Sequence, residues 1–339
     1  MHPIIKLVSQ RLALGILLLL GASALIFGLT EALPGDAAQA VLGQSATPEA
    51  LANLREEMGL DRPALTRYVE WLTGILQGDL GQSLTNKLDI ADSIGKRLGN
   101  TLFLACVAAI VSVPLAIFLG LLAVRYRNRW PDKLISAITL TTVSIPEFLI
   151  GYVLVYFVAI RLPAWVSQSS WLPSVFKSWF AEYLTFSPLA MINDSMTLGA
   201  KLNAIALPAF VLTLVVLAQM MRMTRAAILN LMQSAYIETA ELKGLSTFQV
   251  IARHAFPNAI SPIVNVVMLN LAYLVVGVVV VEVVFVYPGM GQYLVDAVTK
   301  RDVPVVLACG VVFAAVYIGL NMVADIVSIL ANPRLRHPK

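Results

Sequence analysis

With 58% hydrophobic and only 13% charged residues, the 339-residue chain carries about half the charge of a soluble domain, for which roughly 25% is usual. This excludes a water-exposed surface over most of the chain and points to lipid. The formal net charge of +4 decides little by itself, and Cys106 and Cys309, both inside apolar runs, exclude a disulfide framework and read as small buried hydrophobes.

Six segments reach the length of a spanning helix, about 20 predominantly apolar residues, so the predicted fold class is an all-α polytopic membrane protein. The first, residues 12–30, is uncharged between Arg11 and Glu31. It exceeds the roughly 7–15 apolar residues of a signal peptide and reads as a retained span. Residues 31–97 follow, with Thr47 as an N-cap before Pro48 and Leu51, Leu54 and Met58 on one face before a stop at Gly59. Leu65, Tyr68, Val69, Leu72, Ile75 and Leu76 mark a second amphipathic helix before Gly78. Together they form a small helical cap that either only packs on the span ends or also docks a partner or gates an entrance.

Span two is residues 98–124, and a basic loop, "RYRNRWPDK", separates it from span three, residues 134–160. Glu147 interrupts span three directly after Pro146, which frees a backbone carbonyl and bends the helix. Residues 161–201 form a second loop rich in Trp, Pro and Ser, in which Trp165, Trp171 and Trp179 read as interfacial anchors. Span four is residues 202–221; span five runs from about 260 to 286 with Glu282 near its end; span six runs from 303 to about 330 and carries Asp325.

The basic residues sort to one side. Lys6 and Arg11 lie in the N-tail, Arg125, Arg127, Arg129 and Lys133 after span two, Arg222, Arg225, Lys243 and Arg253 after span four, and Arg334, Arg336 and Lys339 in the C-tail. By the positive-inside rule this side is cytoplasmic and holds both termini. The opposite segment, 31–97, has six Lys or Arg against ten Asp or Glu.

Between spans four and five the cytoplasmic stretch "YIETAELKGLSTFQVIARHAFPNA" holds an unusual density of charge. A helix is predicted to continue from span four to Lys243, with Gly244 as its left-handed C′ residue. Ser246 and Gln249 have the form of a capping box, with Leu245 and Val250 as the hydrophobic staple. Phe248, Ile251, Ala252 and Ala255 form an apolar stripe, and Pro257 is expected to close the second helix. Two short helices at a glycine elbow make either a knob for another protein's groove or a connector folded back on its own helices. Spacing alone leaves both open.

The same residues resemble a known signature. "ETAELKG" followed by "AFP" is similar to the EAA loop of ABC importer permeases, with Glu238, Ala240, Gly244 and Pro257 matching in identity and spacing. Thr239 departs from the signature's second position, as do His254 and Phe256 near its end. The remaining chain resembles the B-type permease subunit of the dipeptide, oligopeptide and nickel importers. "LPGDAAQAVLG", "GLDRPALTRYVEWL", "GDLGQSL", "SIPEFLIGY", "VEVVFVYPGMG", "RDVP" and "NPRLR" occur in that family's order, with Ala37 in place of a proline.

The resemblance implies a type I ABC importer permease fold in a bacterial inner membrane. Its organisation would be an N-tail with helix 1 (1–30), an extracytoplasmic helical segment (31–97) and a core permease domain (98–339). Within that core, 226–259 would be the loop coupling to a cytosolic ATPase, and Glu238, Thr239, Ala240, Gly244, Leu245, Ser246, Phe248 and Pro257 would be its site residues. Implied partners are a second, C-type permease subunit, two ATPase subunits that hold ATP and Mg, and a soluble or lipid-anchored substrate-binding protein. Short peptides, nickel complexes, glutathione-like molecules, sugars and opines all remain open as substrates.

This chain has no G-x-x-x-x-G-K-[ST] phosphate loop, so no cofactor of its own is expected and ATP must be hydrolysed by another chain. It has neither H-E-x-x-H nor G-x-S-x-G, and His2, His254 and His337 all lie outside the spans, so neither catalysis nor a metal site is expected. The alternative function is an ion-coupled secondary transporter using intramembrane carboxylates. Pro146 with Glu147 would then line a pathway, while Glu282 and Asp325 read more simply as structural hydrogen-bonding groups near span ends.

Overall fold

In the computed structural model, residues 3–32, 37–42, 47–57 and 59–331 are described. "LPGD", Met58, "NPRLR", His2, His337 and the basic C-tail lie outside the described residues. Every regular element described is helical; the one extended pairing is an isolated bridge between Gln82 and Asp89.

Among the described residues, six helices are long and apolar enough to cross a membrane: Val8–Glu31, Ile90–Arg125, Glu147–Gln168, Ala206–Leu231, Thr247–Val284 and Val303–Val327. The number agrees with the sequence reading, but several boundaries move. The apolar run predicted as a single third span, residues 134–160, is two helices, Trp130–Ser144 and Glu147–Leu154, parted at Ile145 and Pro146. The cause is proline chemistry: the residue before a proline is pushed out of the helical region, and Ile145 adopts ψ 128°. Beyond Leu154 the chain continues through a π-turn, Val155–Arg161, into Leu162–Gln168. Likewise, span four does not run on to Lys243; it stops at Leu231, and a new helix starts at Ala235. Pro257 does not close a helix either. It occupies the first turn of Phe256–Val276, where a missing N–H costs nothing, and the π-turn Ile251–Ala255 leads into it.

The chain divides into two compact units, residues 1–101 with 289–319, and residues 102–288 with 320–339. In the first, the membrane helix Pro3–Glu31 packs along Val303–Ala331 from Gly310 to Ile318. A Cβ on Gly310 would come within 3.0 Å of Ile26, and one on Gly15 within 3.3 Å of Ile318. The cap helix Ala64–Leu76 lies on the same membrane helix through Tyr68 and Trp71, which contact Phe27 edge-on and tilted, and through a 2.9 Å hydrogen bond between the Ser23 and Tyr68 hydroxyls. Its apolar face is split, because Leu65, Val69 and Leu76 are exposed while Tyr68, Leu72 and Ile75 are half-buried. Helix Pro48–Glu57 begins at the expected cap, with the Ala50 N–H donating to Thr47 Oγ1 at 3.2 Å, and Gly59 takes φ +61° after it.

In the second unit Ala206–Leu231 is the most enclosed span, with half of its residues buried. Gly120 lets the second span approach it: a Cβ there would sit 2.9 Å from Thr224 Cγ2. Cys106 corrects another expectation. It is exposed, whereas Cys309 is fully buried, and both are free thiols. In a membrane an apolar position is as well satisfied by lipid as by protein, so hydrophobic sequence does not imply burial.

Candidate functional site

The charged stretch between Ala206–Leu231 and Phe256–Val276 folds into two short helices, Ala235–Leu242 and Thr247–Val250, joined at an elbow. Ala235–Leu242 ends with Lys243 as C-cap, Gly244 at φ +78°, the Gly244 N–H donating to the Glu241 carbonyl at 2.9 Å and the Leu245 N–H to the Ala240 carbonyl at 3.4 Å. This is the Schellman pair of bonds, and it needs a residue tolerant of positive φ. Ser246 then caps the next helix: its hydroxyl accepts from the Gln249 N–H at 3.4 Å, and the Gln249 side chain accepts from the Ser246 N–H at 3.0 Å. The predicted elbow and capping box are therefore both present.

The inner face of this knob packs on its own spans. Ile237, Ala240, Val250, Ile251 and Ala255 are buried in one cluster with Val124, Ile228, Ala259 and Ile263, and Leu245 lies against it beside its staple partner Val250. Phe248 and Ala252 do not join this stripe, contrary to the sequence expectation. Val250, Ile251 and Ala255 turn inward, so Phe248 stays at the edge with 58% of its surface exposed. Leu242 is 83% exposed, and Glu238, Thr239, Glu241, Lys243 and Ser246 are exposed around it. Of the sequence-predicted set, Ala240 is thus a packing residue and Gly244 a backbone device. The surface itself is carried by Glu238, Leu242 and Phe248. Pro257 is exposed in the turn that follows.

Two contacts that sequence reading missed hold the knob and its neighbours. The Arg125 guanidinium, at the end of the second span, lies 5.2 Å from the centre of the Phe248 ring and 5.4 Å from that of Tyr126, within cation–π range. Asp132 at the start of Trp130–Ser144 makes a two-pronged bond with Arg225, Nε to Oδ1 and Nη2 to Oδ2, both 2.9 Å, and also accepts from the Asn128 N–H at 2.9 Å. Burial pushes the Asp132 carboxyl up, but hydrogen bonds from Arg225, Asn128 and Ser136 and the Arg225 charge outweigh it and hold the group below its ordinary range. "RNRWPDK" and "TRAA" carry opposite charges within reach of one pairing, yet only the fold selects Asp132 and Arg225.

The intramembrane carboxylates separate by environment. Glu147 begins the helix after the break and is half-buried; the Tyr273 hydroxyl donates to its Oε2 at 3.4 Å. Gly277 makes room for that tyrosine, since a Cβ there would sit 2.8 Å from the Tyr273 ring. Pro146 is exposed beside it. Glu282 is fully buried in Val279–Val284, one short turn before the equally buried Tyr287. Asp325 is half-buried in the last helix. The three acids thus stand in three distinct settings rather than in one relay.

Six apolar helices of spanning length and an elbow braced on its inner side by Val124, Ile228, Ala259 and Ile263 are the features to set beside known proteins. Residues 112–337 match the family described as binding-protein-dependent transport system inner membrane component, and residues 4–105 match the N-terminal region of the same class of membrane component. The chain belongs to this family and is the permease subunit of a bacterial ABC importer of the dipeptide and oligopeptide type. It is 32% identical over 315 residues to the glutathione transport system permease protein GsiC of Escherichia coli O6:H1, covering 93% of this chain and 94% of that one. It is 33% identical over 333 residues to a Brucella abortus (strain 2308) protein named for a peptide transport system permease, covering 98% and 99%. The family membership removes the ion-coupled carrier alternative.

Proposed function

We propose that the chain forms half of a translocation pathway for short peptides or peptide-like thiols such as glutathione, and that Ala235–Leu242 and Thr247–Val250 couple it to a separate ATPase. Substrate class rests on the names of the relatives, one a glutathione and one a peptide permease. Coupling rests on one observation: a knob braced on its inner side by the spans exposes Leu242 and Phe248 at an elbow fixed by Gly244. Exposed apolar side chains on a rigid convex surface suit an apolar groove. With no phosphate loop in the sequence, the chain draws its energy from a partner. The proposed assembly holds a second permease subunit, two ATPase subunits binding ATP and Mg, and a substrate-binding protein. Both termini and the knob lie in the cytoplasm, and Glu147 with Tyr273 faces the pathway.

The test is substitution of Leu242 and Phe248 by Asp in the assembled transporter. Both variants are expected to insert normally, lose co-purification with the ATPase subunits and lose uptake. Co-purification at the native level in both would refute the coupling assignment. Purified permease alone should show no ATPase activity above empty vesicles.

A further inference from the structure

The first unit contains a cavity of about 1130 Å³ between the cap and the ends of two membrane helices. Its wall gathers charge against the trend of the sequence around it. Segment 31–97 is acidic, with six Lys or Arg and ten Asp or Glu. Yet Arg55, Arg62, Arg67 and Lys87 from that segment line the cavity, joined by Arg301, while only Glu31, Glu70 and Asp79 oppose them.

Those three acids are already satisfied. Glu31 is paired with Arg67, Glu70 with Arg62 at 2.8 Å, and Asp79 accepts the Gly81 N–H at 2.8 Å. Two donors are not. The exposed Arg301 side chain makes no ion pair among the described residues, and its backbone is held at φ +54°. The Trp71 indole nitrogen is buried and makes no hydrogen bond among them. A buried N–H is seldom left without an acceptor, because the lost bond to water is not recovered. The cavity therefore presents donors and positive charge and wants acceptors and negative charge.

Its remaining wall is apolar and belongs to the membrane. Phe27 lies near the end of the first span, and Val303, Val306 and Leu307 begin the last. A soluble anion gains nothing from these side chains. An anion with an acyl tail uses both walls, and the phosphates of a bilayer lie at the level of span ends.

We propose that this cavity binds the phosphate of an anionic phospholipid, with Arg301 and the Trp71 N–H as its donors and Phe27 and Leu307 against the proximal acyl chain. The shared chemistry with a free ion is a phosphate oxyanion; the tail is what assigns the lipid. The site is separate from the coupling surface, and it is independent of the proposed cargo and ATPase partners.

The experiment is native mass spectrometry of the full chain in detergent, titrated with dioleoylphosphatidylglycerol and, separately, with dioleoylglycerol, which has the same chains and no phosphate. The phospholipid should be retained and the diacylglycerol lost. Arg301→Asn removes the charge while keeping a residue that tolerates positive φ, and should weaken retention about ten-fold. Trp71→Phe keeps the ring against Phe27 and Tyr68, removes only the N–H, and should weaken it about three-fold. Millimolar inorganic phosphate should not displace the lipid; displacement would mean a free-anion site and overturn the proposal. Displacement by glutathione or a dipeptide would assign the cavity to cargo and overturn it equally. Native retention in both variants would also overturn it.

Discussion

The Asp302 carboxylate accepts the Ser83 hydroxyl at 2.6 Å, joining residues 219 apart in sequence. Asp302 is 2% exposed and also accepts from the Thr85 hydroxyl at 2.9 Å, the Leu84 N–H at 3.2 Å and the Thr85 N–H at 3.3 Å. Its own backbone carbonyl accepts from Val306 as the last membrane helix begins. One carboxylate thus ties the loop after the cap to the start of that helix, and it links "GDLGQSL" to "RDVP". Removing a buried acceptor leaves its donors unsatisfied, at about 1–3 kcal/mol for each group. Asp302→Ala is expected to cost about 3–5 kcal/mol and Ser83→Ala about 1 kcal/mol. Heat-induced loss of monodisperse protein in detergent measures both; equal midpoints for Asp302→Ala and the native chain would remove this role.

Asp132 and Arg225 predict an acid sensitivity of definite sign. The folded-state pKa of Asp132 is lowered, so the pair contributes stability above the ordinary carboxyl value and loses it as pH falls through the folded value. Stability should therefore be insensitive to this group between about pH 5 and 8 and should fall below about pH 4. The Arg225 side chain is 28% exposed against 5% for Asp132, so solvent screening reduces the gain. Asp132→Asn should cost about 1–3 kcal/mol at pH 7 and show a shallower acid slope. A steeper slope in the variant, followed by thermal denaturation across pH, would contradict the sign.

The features that could be read from the sequence are local ones. Six spans follow from apolar length, and the Gly244 elbow and Ser246 box follow from residues within three positions of each other. What the sequence hid depends on partners or on phase. No proline or glycine announces the break at Met232–Ser234 between two helices. Helical spacing put Phe248 and Ile251 on one stripe, but packing on Ile228 and Ala259 selects Ile251 and leaves Phe248 out. Exposed Cys106 and buried Cys309 are indistinguishable in a pattern that treats lipid and protein neighbours alike. The Asp302–Ser83 and Asp132–Arg225 bonds are long-range, and no local spacing encodes them.

The charge distribution predicts which surfaces reach each compartment. Ser83 would be a poor labelling position because it is 2% exposed and bonded to Asp302, whereas Gln77 and Ser246 are exposed. Single cysteines at Gln77 and Ser246, in a chain with Cys106 and Cys309 replaced by Ser and Ala, should label from opposite sides. Gln77→Cys should react with an impermeant maleimide on intact cells, and Ser246→Cys only after permeabilisation. Labelling of Ser246→Cys from outside would invert the topology.

Gly244 separates the contribution of backbone strain from that of bulk. It takes φ +78°, and a Cβ placed on it meets nothing within 4 Å, so a substitution there is opposed by conformation and not by a clash. A left-handed L-residue costs roughly 1–2 kcal/mol, asparagine tolerates the region best after glycine, and β-branched residues tolerate it least. Uptake and ATPase co-purification should therefore fall in the order native, Gly244→Asn, Gly244→Ala, Gly244→Val, while the amount of inserted protein changes little. Relief of the strain would unwind the Schellman bonds from Gly244 to Glu241 and from Leu245 to Ala240, and so swing Leu242 relative to Phe248. Loss of coupling in Gly244→Asn as severe as in Gly244→Val would point to a steric role for the glycine against the partner. Native coupling in Gly244→Val would show that the angle of the elbow is irrelevant to it.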